Sequence, residues 1–262
     1  MASNVRAEHL FDVKGMVFVI TGGGTGIGAM MAHALDINGA AKVFILGRRM
    51  DKLESVAAMS QNKSIVAVQC DVGCKQSLQS AAEMVAKHVS FVNTVIANSG
   101  AQGPTVNALP KDHTPSLLEL QEFLWAPSFK DFNEAFHVNS TGMFYTMVAF
   151  MSLLDAGNKL SSSPTTCTTI FSQFLVIGSI GAYSKRPGMG FAYAGSKAAA
   201  VFMVKQIAAL LVPYNIRANV INPGIFPSDM SAAFLADKDA SQLGSLPQSV
   251  VPCTRAGSEE VR

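Results

Sequence analysis

The stretch MVFVITGGGTGIGAMMAHAL, residues 16–35, sets a short apolar, β-branched run directly before a cluster of glycines and a helix-like segment. The apolar run reads as a buried strand. Gly22, Gly26 and Gly28 are the spaced glycines, and without side chains their backbone can approach a pyrophosphate closely. The helix that follows turns its free N–H groups and positive dipole end toward such an anion. Gly22, Thr25, Gly26, Ile27 and Gly28 are therefore candidate dinucleotide-binding residues, the alternative being a bare tight turn.

Working outward, five further runs have strand character: KVFIL (42–46), SIVAVQC (64–70), TVIAN (94–98), TIFSQFLVIG (169–178) and RANVIN (217–222). Helix-like segments lie between them, among them Gly26 to Asn38, Asp51 to Ser60 and Lys75 to His88. The alternation predicts an α/β fold: a doubly wound parallel sheet in a three-layer α/β/α arrangement. Ligands in such sheets bind beyond the carboxyl ends of the strands. Gln102 to Pro115 and NKLSSSPTTCTT (158–169) read as loops, and Gln102 to Phe129 as a long insertion of the kind that forms a lid or binding surface.

Composition narrows the function. The 262 residues are 49% hydrophobic and 15% charged, with a mean hydropathy of +0.28, which suits one domain built on a buried sheet. A formal net charge of +2 and the lack of a basic stripe argue against a nucleic-acid partner. MASNVRAEHLFDVKG lacks the apolar core of a signal peptide, and no apolar run reaches the ~20 residues needed to cross a bilayer. No membrane association and a cytoplasmic location are expected. Cys70, Cys74, Cys167 and Cys253 have neither metal-ligand nor disulfide-scaffold spacing, so free thiols are expected. His9, His33, His88, His113 and His137 are dispersed, and no metal site is expected.

The strand ends carry the chemistry. After the second strand an Asp or Glu would bond the ribose hydroxyls of NAD; this chain has Gly47, Arg48 and Arg49. Two guanidinium groups favour the 2′-phosphate of NADP over NAD, with Arg48 preferred, unless both merely solvate the next helix. Asp71 is placed to accept from the adenine amino group with Val72 against the ring, although such an Asp is commonly a helix N-cap. Asn98 and Gly100 sit where backbone passes near a ribose. Tyr193 and Lys197 are four apart in AYAGSKAAA, hence on one helical face. A nearby ammonium favours the phenolate and lowers a Tyr pKa, which would make Tyr193 an acid for a carbonyl oxygen. The alternative is two polar groups snorkelling from an apolar helix. Trp125, the Met-rich FYTMVAFM and the helix AAAVFMVKQIAALLV (198–212) read as packing elements, the last buried nearly all round.

Together the glycine turn, CDV (70–72), ANSG (97–100), Tyr193-x-x-x-Lys197 and NPG (222–224) resemble the short-chain dehydrogenase/reductase family, from Phe11 to the C-terminus. The resemblance implies a Rossmann-type fold, with a cofactor half at about 11–155 and a catalytic half at about 156–262. It implies NADP- or NAD-dependent interconversion of a ketone and an alcohol. Ser179 matches the serine that polarises the substrate oxygen, and Asn139 matches the asparagine that connects the lysine to water. Gly224, Ile225 and Ser228 match positions that contact the nicotinamide amide and pyrophosphate. It further implies a homodimer or homotetramer, and the insertion at 158–169 is similar to fungal members. A small, largely apolar substrate of secondary metabolism is expected, covered by the residues after Ser228 and the long insertion. In the family, CTRAGSEEVR leads into a helix and a seventh strand, so the sheet is expected to lack its usual last strand. A truncated, non-catalytic scaffold is the alternative.

Overall fold

The computed structural model describes residues 11–110, 112–161, 170–235, 239–248 and 251–258. In chain order the main elements begin with β1 (Val17–Thr21), α1 (Gly26–Ile37), β2 (Lys42–Gly47), α2 (Met50–Ala58), β3 (Ile65–Gln69) and α3 (Lys75–His88). They continue with β4 (Thr94–Ala97), α4 (Leu117–Trp125), α5 (Phe129–Phe136) and α6 (Met143–Ser161). The chain then runs through β5 (Gln173–Ile177), α7 (Phe191–Leu210), β6 (Arg217–Ile221) and a short α8 (Ala232–Leu235). The strands form one sheet in the order β3-β2-β1-β4-β5-β6, with every pairing parallel. The order reverses between β1 and β4, and that switch point places a crevice at their carboxyl ends.

Alternation along each strand builds two cores. Val17, Val19, Phe44 and Leu46 face α3, α6 and α7, where Leu78, Met147, Phe150 and Val204 meet them. Phe18, Ile20, Val43 and Ile45 face the other side, against Ala32 of α1 and Leu53 and Val56 of α2. A strand covered on both faces must be apolar throughout, which is why these runs lack the polar alternation of a half-exposed strand. Within FYTMVAFM the packing side is buried as expected at Met147 and Phe150, while Val148 on the other side is exposed.

A polar staple holds the first half together. Asp36 is fully buried near the end of α1 and accepts from the Ser60 and Ser64 hydroxyls, both at 2.7 Å, and from the backbone N–H groups of Gln61, Asn62 and Ser64. Burial alone would raise its pKa, but these bonds to the carboxylate carry it down to about 2. The staple ties α1 to the turn that feeds β3.

Several expectations change. The insertion after β4 is partly helical: α4 occupies its centre, started by a reciprocal capping box between Ser116 and Glu119. A second box, Ser128 with Asp131, starts α5. Trp125 is 85% exposed at the end of α4, so it is no core residue. Residues 158–161 are not loop but the last turn of α6, and 162–169, with Cys167, lie outside the described residues. The helix expected at 198–212 to be buried nearly all round ends at Leu210 and presents an apolar side to solvent, with Phe202 60% and Leu210 62% exposed. No seventh strand follows β6 among the described residues, and Ile221 on that edge strand is half exposed. Instead, Leu246, Ala256 and Leu235 form a small separate core with Ile225, behind the loop that follows β6. Cys70, Cys74 and Cys253 are free thiols.

Candidate active site

The carboxyl ends of the strands open into one cleft of about 840 Å³, within the size range of small-molecule sites. Each candidate residue after β1 to β6 except Gly28 and Asn139 reaches its wall. Gly22, Thr25, Gly26 and Ile27, Arg48 and Arg49, and Asp71 and Val72 follow β1, β2 and β3 on one side of the switch point. On the other, Asn98 and Gly100 follow β4, Ser179 follows β5, Tyr193 and Lys197 come from α7, and Gly224, Ile225 and Ser228 follow β6.

The glycine turn is built for close approach. Gly22 has φ +67°, and a Cβ on it would stand 3.0 Å from both the Asn98 amide nitrogen and the Ser99 Cα. Gly28 does not touch the cleft; a Cβ there would overlap the Gly22 carbonyl, so it serves to let α1 pack under the turn. Thr25 stands at the N-cap of α1 without a side-chain bond to the first turn, and that turn carries no acidic residue. The start of α1 thus lines the cleft with no anion supplied by α1 itself, the kind of helix end that suits a phosphate.

Thr21 and Asn98 lace β1 to β4 beneath the turn. The Thr21 hydroxyl accepts from the N–H groups of Asn98 (3.0 Å) and Ser99 (3.1 Å), while the Asn98 amide donates to the carbonyls of Thr21 and Gly22. The Asn98 side chain is thus held by the protein. Asp71 caps its own turn, accepting from the Gly73 N–H at 2.9 Å.

At the other end, Ser179 follows β5. Its backbone N–H donates to the Asn222 side-chain carbonyl (3.0 Å), and its hydroxyl accepts from the Gly181 N–H (3.0 Å). Tyr193 and Lys197 are buried one turn apart on α7. Lys197 Nζ donates to the Ile177 carbonyl at 2.7 Å and lies 5.9 Å from the centre of the Tyr193 ring. Burial lowers the Lys197 pKa to about 8. The Tyr193 pKa is not lowered, as the spacing led us to expect, but raised by burial, which outweighs the hydrogen bond from Ser179. The Lys197 ammonium is committed to a β5 carbonyl, so in this arrangement it does not offset the burial of the phenol.

Asn139 lies in a π-helical turn, His137–Gly142, that joins α5 to α6. Its amide donates to the Ala101 carbonyl (2.8 Å) and to the Ser196 hydroxyl (2.9 Å), and its carbonyl oxygen accepts from the Ala101 N–H (2.9 Å). Ser196 donates in turn to the Tyr193 carbonyl (2.8 Å), and Ser140 to the Ser196 carbonyl (2.9 Å). Through these bonds the Asn139 side chain braces the β4 loop against the helix that carries Tyr193.

The chain matches the family model described as short chain dehydrogenase over residues 16–239. It is 41% identical over 239 residues to the short-chain dehydrogenase/reductase SAT3 of Stachybotrys chartarum, covering 88% of this chain and 87% of that protein. It is 36% identical to the short-chain dehydrogenase/reductase VdtF of Byssochlamys spectabilis, covering 98% of this chain and 87% of the relative. Among solved structures, the Pseudomonas aeruginosa RhlG/NADP active-site complex superposes with a TM-score of 0.73 at 24% identity, covering 95% of this chain and 87% of that one. The chain belongs to the short-chain dehydrogenase/reductase family.

As a short-chain dehydrogenase/reductase it is an oxidoreductase that uses a nicotinamide nucleotide. Several residues of its cleft escaped the motif reading. Lys52, in the first turn of α2, adds a third cation to the wall that Arg48 and Arg49 line. Phe226, Asp229, Met230, Ser231 and Phe234 come from the segment after β6, which supplies wall as expected. Of the insertion after β4, Gln102 and Asn107 line the cleft, whereas Leu117, Leu118, Phe123, Leu124 and Trp125 do not. Among the described residues no group of His, Cys, Asp or Glu could hold a metal ion, and no helix is long and apolar enough to cross a membrane.

Proposed function

We propose that the protein is an NADP-dependent reductase that interconverts a ketone and a secondary alcohol on a small, largely apolar metabolite. The observation that carries this reading is the two-ended cleft. Ser179, Tyr193 and Lys197 converge at one end, and three basic side chains with an uncapped helix N-terminus stand at the other.

The donor set fits the cofactor: α1 would take the pyrophosphate, Arg48, Arg49 and Lys52 the 2′-phosphate, and Asp71 and Val72 the adenine. When bound, the nicotinamide supplies or accepts a hydride at the carbonyl carbon. The Ser179 and Tyr193 hydroxyls would both donate to the substrate oxygen, and Tyr193 would transfer its proton as the alcohol forms. Burial raises the Tyr193 pKa, so the phenol is protonated before reaction and needs a cation beside it to stabilise the phenolate as the proton leaves. Lys197 would hold the nicotinamide ribose and favour the phenolate once the proton has left. Asn139 acts as a positioning residue through Ala101 and Ser196. Ile180, Met189, Met230 and Phe234 give the substrate end its apolar character. Fungal relatives at 36–41% identity support a place in secondary metabolism, a cytoplasmic location is consistent with the sequence, and the exposed apolar side of α7 suits packing against a second copy in a dimer or tetramer.

The test is oxidation of NADPH, and separately of NADH, followed at 340 nm over a panel of aliphatic, cyclic and aromatic ketones. Turnover with NADPH that is lost in Tyr193→Phe supports the reading. Binding of NADPH without turnover on any carbonyl or alcohol would overturn it.

A further inference from the structure

Arg49 and Asp229 are 180 residues apart in sequence, yet the Arg49 guanidinium donates to the Asp229 carboxylate at 2.8 Å. Arg49 precedes α2 on the adenosine side of the cleft, while Asp229 belongs to the loop after β6 on the reactive side, and both line the cleft. The same loop lies directly on the glycine turn, since a Cβ on Gly26 would stand 2.8 Å from the Ser228 Cβ. The loop has its own internal order: the Ser228 N–H donates to the Ser231 hydroxyl at 2.9 Å, and Ser231 donates to the Phe226 carbonyl at 2.6 Å. A braced strap therefore crosses the cleft, seated on Gly26 and tethered by one ion pair.

That tether uses a group the proposed function also needs. A guanidinium paired with a carboxylate presents fewer free donors to a phosphate, and the two anions repel each other at close range. We propose that Asp229 is a cofactor-specificity residue. It holds Arg49 and the strap in the free protein, and a 2′-phosphate takes Arg49 from it, so that a dinucleotide bearing that phosphate releases the strap and one lacking it does not. The proposal rests on the NADP reading and assigns that specificity to a contact between the two sides of the cleft, not to the arginines alone. Because both partners are more than half exposed, the competition is weak, and a change of two- to fivefold is the scale to look for.

The experiment is calorimetric titration of the full chain with adenosine 2′,5′-bisphosphate and with 5′-AMP, which differ only in the 2′-phosphate. At low salt, Asp229→Asn should bind the bisphosphate two- to fivefold more tightly than the parent, Asp229→Glu within twofold of the parent, and 5′-AMP should be unchanged in both. In an Arg49→Met background the gain from Asp229→Asn should vanish, and at about 1 M salt, where screening acts within about 3 Å, it should shrink toward one. No gain, an equal gain for 5′-AMP, or a gain that survives loss of Arg49 would overturn the competition. A parent that binds 5′-AMP as tightly as the bisphosphate is a distinct result: it removes the NADP reading, and this proposal falls with it.

Discussion

The two ends of the cleft are made in different ways. The adenosine end is mostly local: apart from Ser228 and Asp229, which reach it from the loop after β6, its wall residues follow closely on the ends of β1, β2 and β3, and the turns are short enough that sequence order fixes their place. The reactive end is assembled from afar. Ser179, Tyr193 and Lys197 depend on a brace from Asn139 and Ala101, and the wall beside them comes from a loop backed by residues some 30 positions later. A phosphate site made of backbone and fixed charge tolerates that locality; proton transfer needs groups that several elements hold in register.

The largest effect tests this division at the reactive end. Tyr193→Phe should lower ketone reduction by about 10²–10⁴-fold, the range for a lost general acid, with the dissociation constant for NADPH unchanged within about twofold. A variant that loses binding as much as turnover would show that the two ends are not separable.

Lys197 sharpens the contrast by pH. Burial disfavours its ammonium and brings its pKa from 10.5 to about 8. Between those values the unfolded chain holds the proton and the folded one does not, so folding stability should rise with pH across that window. In Lys197→Met this rise should disappear; its upper limit is about 3 kcal/mol, read by urea unfolding at pH 7.5 to 10. Parallel profiles in parent and variant would remove the buried charge as a cost to the reactive end.

The adenosine side should show a rise of the same sign at the acid end of the scale. Asp36 titrates at about 2 when folded against 3.8 in its ordinary state, so its contribution is complete above pH 4 and is lost as pH falls toward 2. That contribution is about 2 kcal/mol. Asp36→Asn should be destabilised by a similar amount at pH 7, and its deficit relative to the parent should narrow below pH 4. The smallest effect belongs to the insertion: Trp125→Ser should change stability by no more than about 0.5 kcal/mol, since that side chain is exposed, and a larger loss would mean that α4 is covered in solution.

The same division explains what the sequence made legible. Gly22 and Gly26, Arg48 and Arg49, Asp71 and the helical pair Tyr193 and Lys197 were readable because short-range geometry dictates where they point. The capping boxes at Ser116 and Ser128 were equally local, and an S-x-x-E/D pattern would have revealed α4. Asp36 and the Asn139 brace had no such signal. A buried carboxylate in a helix looks like a surface one until its partners are brought in from another turn. Lys52 was hidden for a related reason, since only the packing of α2 against the glycine turn, where a Cβ on Gly24 would stand 3.2 Å from the Lys52 Cβ, carries it to the cleft wall. The sign of the Tyr193 pKa shift was likewise beyond the motif, because burial and the direction of the Lys197 ammonium are properties of packing.

One contact has consequences for selectivity. Gly257 lies against the Phe226 ring so closely that any Cβ would overlap it, and its N–H donates to the Ile225 carbonyl at 2.8 Å. Phe226 is wall on its other side. A methyl added at Gly257 should therefore push that ring and change the ratio of KM values for bulky and slim ketones more than it changes kcat; equal KM ratios in parent and Gly257→Ala would refute this. Substrate preference can then drift through changes one layer behind the wall, at a residue that no ligand ever touches.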